Sequence, residues 1–265
     1  MKIDYPDNYS LSDLNEKFFW KYLDLYKLFD LLNSQQLYFA RLDQYEDGLE
    51  GITGKGIGLK AISQGQALTM ENISTAFDKE TQDRLIAGDQ RNRKEYSDSI
   101  EASQKSQYAC CWFVGDRESL AMWKLYSKKE GVAIKFKARQ LTDTIIASAK
   151  SLTNTDFSIL YYGPVEYKNI WPFDPHETFN GKFNGLKKDK SYIHENEFRF
   201  VAVVSSDKIG VHHHLKLPIG QVSNYDIEII TNPFMEQWQF DILKLVLHDF
   251  QIDDKLQKSK MEVRK

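Results

Sequence analysis

At 265 residues, with 42% hydrophobic and 13% aromatic residues, the chain can bury a sizeable core and is not composed like a disordered tail. Its 35 Lys and Arg against 38 Asp and Glu leave a net charge of −3, which excludes a global field that would draw the protein to nucleic acid or to an anionic membrane. No apolar run approaches the roughly 20 residues of a membrane span, and the start M-K-I-D-Y-P-D-N lacks the apolar segment of a secretory signal, so a cytoplasmic protein with no membrane partner is expected.

Lys17–Leu23 (K-F-F-W-K-Y-L) has strand character and ends where Asp24 can cap a helix. Leu25, Leu28, Phe29 and Leu32 recur at helical spacing, which predicts a short amphipathic helix over Asp24–Leu32, stopped by Asn33 and Ser34. Gln36–Arg41 returns as a strand. An acidic turn, Asp43–Glu50, leads into the glycine-rich loop G-I-T-G-K-G-I-G, Gly51 to Gly58. That loop fails as a phosphate cradle: the dinucleotide spacing needs glycine where Leu59 stands, and a P-loop needs Ser or Thr where Gly56 follows Lys55. It reads as a flexible connector. Residues 60–106, rich in Gln, Ser, Asp, Glu and Lys and without proline, predict a helical insertion or lid.

Beyond it, Tyr108–Val114 is a buried strand, Ser119–Tyr126 a short helix, V-A-I-K-F-K after Gly131 a strand and Ala138–Lys150 a helix. Strands follow near Phe157–Tyr167, over Tyr192–Val204, and near His214–Leu217 and Ile227–Ile230, where Pro233 ends the run. Met235–Phe250 then predicts a helix with Trp238, Ile242, Leu245 and Val246 on one face. Several strands lack intervening helices, so α+β is favoured over a doubly wound parallel sheet, in a single domain spanning 1–265.

The chemistry-bearing stretch is Tyr192–Val204, Y-I-H-E-N-E-F-R-F-V-A-V-V. Glu195, Glu197 and Arg199 alternate with Phe198, Phe200 and Ala202, the period of a strand with one face on a core. Two carboxylates about 7 Å apart on one strand, beside a cation, can ionise differently and take different roles. The competing reading is a surface strand with a loose ladder of ion pairs. Metal chemistry is not expected: neighbours in the run His212 to His214 point to opposite faces, and neither H-E-x-x-H nor a separated cysteine pair is present. Covalent catalysis has no support either, because G-x-S-x-G is absent and the adjacent Cys110 and Cys111 sit where burial raises a thiol pKa. What remains is carboxylates with aromatics: Tyr22, Tyr38, Trp112, Trp123, Tyr126 and Trp171 suit a flat, partly cationic ring joined to a sugar, though any one of them taken singly reads as core. Lys182, Lys187, Lys188 and Lys190 form a basic stretch best read as a solvated loop, with contact to an acceptor phosphate as the alternative.

The order of these motifs, Lys21-Tyr22, Leu37-Tyr38-Phe39 with Asp47 and Glu50, Met122-Trp123 with Tyr126 and Gly131, and Glu195-x-Glu197-x-Arg199, resembles an uncharacterised family of bacterial single-domain proteins and, through it, the ADP-ribosyltransferases. The resemblance runs from about residue 18 to 233 and skips the polar segment after Gly58; the turn Y-E-D-G-L-E replaces the family's N-D-P-F-E-like turn. It implies a split β-sheet core with peripheral helices, NAD as co-substrate without a metal, and a toxin or phage-defence effector that modifies RNA, DNA or protein. An antitoxin or inhibitory partner is a further implication. Glu197 would be the catalytic glutamate on the nicotinamide ribose and Glu195 would orient or deprotonate the acceptor. Trp123 or Tyr126 would pack on nicotinamide, and Lys21 or Tyr22 would grip the ribose or amide. Arg199 would hold the diphosphate or pair with Glu197, with Arg41 as a second diphosphate candidate. NAD glycohydrolysis at the same site and a non-catalytic binding or sensor module are the alternatives.

Overall fold

The computed structural model describes every residue except 53–55, 59, 61–63, 154–155, 170–182 and 263–265. Most of the alternating segments become strands of one ten-stranded mixed sheet. In chain order these are β1 (Lys2–Asp4), β2 (Phe18–Leu23), β3 (Gln36–Arg41), β4 (Gln107–Val114), β5 (Val132–Lys137), β6 (Phe157–Pro164), β9 (Glu197–Val204), β10 (His214–Pro218), β11 (Ile227–Thr231) and β12 (Leu256–Lys258), while β7 (Glu166–Lys168) and β8 (Lys187–Asp189) pair separately. The helices are α1 (Leu25–Ser34), α2 (Lys79–Lys105), α3 (Leu120–Tyr126), α4 (Ala138–Ser151) and α5 (Gln237–His248). The α+β expectation therefore holds. No described helix is long and apolar enough to cross a membrane.

The sheet runs β1-β6-β9-β4 and then forks. The first part of β4 pairs with β3 through Tyr108 and Ala109, and β10 continues that branch. Its end pairs with β2 through Phe113 and Val114, and β5, β11 and β12 continue the other. Between the branches Lys21 reaches across and donates to the Cys111 carbonyl at 2.7 Å, lying 5.2 Å from the centre of the Trp112 ring. The fork thereby makes Lys21 structural, since it supplies a donor to a strand that neither branch covers there.

Alternation sorts β9 into two buried faces. Phe198, Phe200, Ala202 and Val204 join Phe19, Trp112, Ile134 and Phe136 in the main core, closed by α1, α4 and α5 through Leu28, Leu32, Leu141, Ile145, Leu243 and Leu247. Each buried Leu, Ile, Val or Phe among them contributes about 1.5–3 kcal/mol by leaving water. The opposite face carries a second cluster, Trp20, Tyr22, Met122, Trp123 and Ile230, under α3, and a third around Leu42, Ala109, Tyr161 and Val201. A solvent-facing ion-pair ladder is therefore not what forms.

Helix ends follow their caps. The Asp24 carboxylate accepts the Lys27 N–H at 2.9 Å, and α1 runs through Asn33 and Ser34 until Gln35 turns left-handed at φ 55°. Residues 60–106 do contribute a long helix: α2 is capped by Asp78, is polar almost all round and buries only Ile100 along its length. In α5 the expected apolar stripe forms but faces outward: Trp238, Ile242 and Leu245 are exposed, whereas Leu243 and Leu247 face the core.

Candidate functional site

Five charged side chains from four separate stretches meet on the face of β9 away from the main core. Glu50, Lys188, Glu195, Glu197 and Arg199 are all buried. Lys188 donates to Glu195 and lies 3.2 Å from both Glu197 and Glu50. Arg199 gives Nε to Glu197, both terminal nitrogens to Glu50, and a further bond to the Gly185 carbonyl at 3.0 Å. Three carboxylates share two cations, so full ionisation would leave one negative charge in excess.

Local structure explains each arrival. The strand starts at Glu197, not at Tyr192: Lys190–Glu195 is a 3-10 turn and Asn196 is left-handed at φ 37°, a conformation asparagine tolerates. That reversal brings Glu195 back beside Glu197 although the two do not share a strand. Asn196 is locked by its side-chain bond to the Val114 carbonyl at 2.6 Å. Lys188 comes from β8, correcting the solvated-loop expectation for this residue and for buried Lys187; Lys190 stays exposed and Lys182 lies outside the described residues, as does Trp171. Glu50 comes from the acidic turn, whose backbone is held by the end of α2 and the start of β4: Gln104 donates to the Glu50 carbonyl at 2.8 Å, and Ser103 and Gln107 donate to the Gly51 carbonyl at 3.1 and 3.0 Å.

Burial and the charge of Glu197 push the Glu195 carboxyl up to about 7, against the opposing bonds from Lys188 and Tyr126. Burial is the largest single influence on Glu197 and opposes its ionised form, but the Arg199 charge, the bonds from Glu195 and Arg199 and the charge of Lys188 together outweigh it and hold Glu197 well below the usual carboxylate range. One carboxylate thus stays charged while its neighbour titrates near neutrality. Burial pushes the Cys111 thiol to about 12 and the nearby charge of Glu197 adds to the shift, so this cysteine is a poor nucleophile.

Tyr126 connects the group to solvent. Its hydroxyl donates to Glu195 at 2.6 Å while the side chain remains 45% exposed at the end of α3. One turn earlier, buried Trp123 packs edge-on against Tyr22 at 4.9 Å and donates to Glu118 at 3.0 Å. Tyr22 shares the sheet face of Glu197, through the pairing of Trp20 with Phe113 and of Phe113 with Glu197. Lys21 necessarily faces the other way, so of that pair Tyr22 is the one on the face of Glu197.

The two arginines named as diphosphate candidates are both engaged inside the protein. Every donor group of Arg199 is already engaged inside the protein, so its pairing role is the one that forms. Arg41 clamps Asp43 at 2.6 and 2.9 Å and the His212 carbonyl at 2.8 Å, on the side of Tyr108 and away from Glu197. Tyr38 stacks on His214 at the surface. Glu50 and Lys188 are the members that sequence reasoning missed. Their signal was charge balance: Glu195 and Glu197 on one buried strand require more than the single cation Arg199.

No protein-family profile, no curated protein and no solved structure matches the chain.

Proposed function

We propose that the protein is an NAD-dependent ADP-ribosyltransferase, with Glu197 and Glu195 as its catalytic pair and Tyr126 at the mouth of the site. The observation that carries the reading is geometric: two adjacent buried carboxylates have unlike partners, Arg199 on Glu197, and Lys188 with the half-exposed Tyr126 on Glu195, which pushes their titrations apart as acid–base roles require. The forked sheet and the aromatic pair Tyr22 and Trp123 beside the carboxylates support it as well.

In this mechanism the bond between the nicotinamide nitrogen and ribose C1′ breaks, nicotinamide leaves with the bonding electrons, and positive charge develops on the ribose. The fixed negative charge of Glu197 stabilises that cation. An acceptor nitrogen or oxygen forms the new bond to C1′ and gives its proton to ionised Glu195. Tyr126 donates to Glu195 in the free protein, so substrate binding exchanges that bond for one from the acceptor. Water as acceptor would make the same site a glycohydrolase. The acceptor is a nucleic-acid base or a protein side chain.

The test is nicotinamide release from NAD by the purified protein, alone, with cellular RNA and with total protein, beside Glu197→Gln. Two carboxylates and two cations remain in that variant, so its fold survives by circular dichroism while release falls at least about a hundredfold. Full release by Glu197→Gln would remove this residue from the mechanism. Absence of release with every acceptor fraction would leave a binding module.

A further inference from the structure

Helix α5 turns its more apolar stripe toward solvent. Trp238, Ile242, Leu245 and Val246 follow one another at spacings of four, three and one, and are 59%, 53%, 73% and 36% exposed. Burial of the helix is achieved without them, through Leu243 and Leu247 on the opposite side. A contiguous row of large apolar side chains of this kind marks an interaction surface, whereas isolated exposed hydrophobics are ordinary.

The surroundings of the stripe indicate what covers it. Asp241 and Asp249 lie beside and beyond it, both exposed, and Glu236 stands at its start, accepting the Trp238 indole N–H at 2.8 Å. Next to that end is a concavity of about 310 Å³ lined by Lys129, Glu130, Phe234, Glu236 and Gln239. Its two carboxylates and apolar floor suit the stem and charged head of a lysine or arginine, with Lys129 the single opposing charge. A second copy of this chain would bring Asp241 and Asp249 against the same acids, a juxtaposition that is penalised. We propose that the exposed face of α5 is a docking site for a basic amphipathic helix of a partner protein, its apolar side on the Trp238–Val246 stripe and one cationic side chain in the pocket at Glu130 and Glu236.

Two synthetic amphipathic peptides about four turns long test this by titration calorimetry against the full chain, one with leucines at helical spacing among lysines and one with the same leucines among glutamates. The lysine peptide is expected to bind and the glutamate peptide not to. Ile242→Ser with Leu245→Ser leaves the charge unchanged and should weaken the lysine peptide at least about tenfold; Glu130→Gln with Glu236→Gln should weaken it to a smaller, salt-dependent extent. Sedimentation of the peptide-free protein is expected to show no self-association through the stripe. Failure of the lysine peptide to bind, equal binding by the serine variant, or self-association that the serine variant abolishes would each overturn the proposal.

Discussion

Two glutamates separated by one residue behave differently because their partners differ. Glu197 has Arg199 behind it; Glu195 has Lys188 and the Tyr126 hydroxyl, with the charge of Glu197 against it. If Glu195 is the base, acceptor-dependent nicotinamide release climbs with pH and levels off above about 7, and Glu195→Gln abolishes that rise. The same group leaves a mark on stability. Unfolded, Glu195 loses its proton near its ordinary value of 4.5; folded, it keeps it to about 7. Its protonation therefore favours the folded state fully below 4.5, and that contribution is lost as pH rises through about 7. Glu197 has the opposite sign: its contribution is present above the ordinary carboxylate value and disappears as pH falls through its depressed folded value. Urea unfolding of Glu195→Gln should thus lack the decline in stability that the parent protein shows between about pH 5 and about pH 8. Removing Glu50 strands part of Arg199 in the interior, so Glu50→Ala should cost about 3–5 kcal/mol by the same measurement.

Among the secondary-structure elements, the charged group depends on short irregular pieces more than on the long ones. The turn that presents Glu50 passes through Gly51 at φ 71°, where an added Cβ would stand 2.7 Å from Leu42 Cδ1. Gly51→Ala should therefore destabilise the protein by about 1–3 kcal/mol and, because Glu50 moves with the turn, lower the pH at which Arg199 and Glu197 hold together. A loss of stability with an unchanged pH profile would separate the turn from the network. The regular elements were legible in the chain: β5 and β9 announce themselves by alternation, β2 and β4 as aromatic and apolar runs, and α1 by its capping residue Asp24 and its helical spacing. The reversal at Asn196 was not, because a single left-handed residue leaves no periodic trace. Nor was the inward direction of Lys188, since a three-residue strand carries too little pattern to distinguish its faces.

One sheet joins both ends of the described chain, from β1 at one edge to β12 at the other. Neither branch of the fork has a strand set independent of β4, so heat or urea should give a single cooperative transition, with far-ultraviolet circular dichroism and tryptophan fluorescence coinciding. Separate transitions would show that the branches fold apart. Alternation and capping are local properties, which is why the order of residues was enough to give the α+β class and most of the larger strands and helices. What the charged side chains meet depends on the packed molecule. Lys188, nine residues before Glu197, and Glu50, 149 before Arg199, are brought to one point by the sheet, and only their mutual distances set which carboxylate stays charged. The outward face of α5 has the same origin: helical periodicity specifies two faces, and which of them joins the main core depends on contacts that no single helix contains.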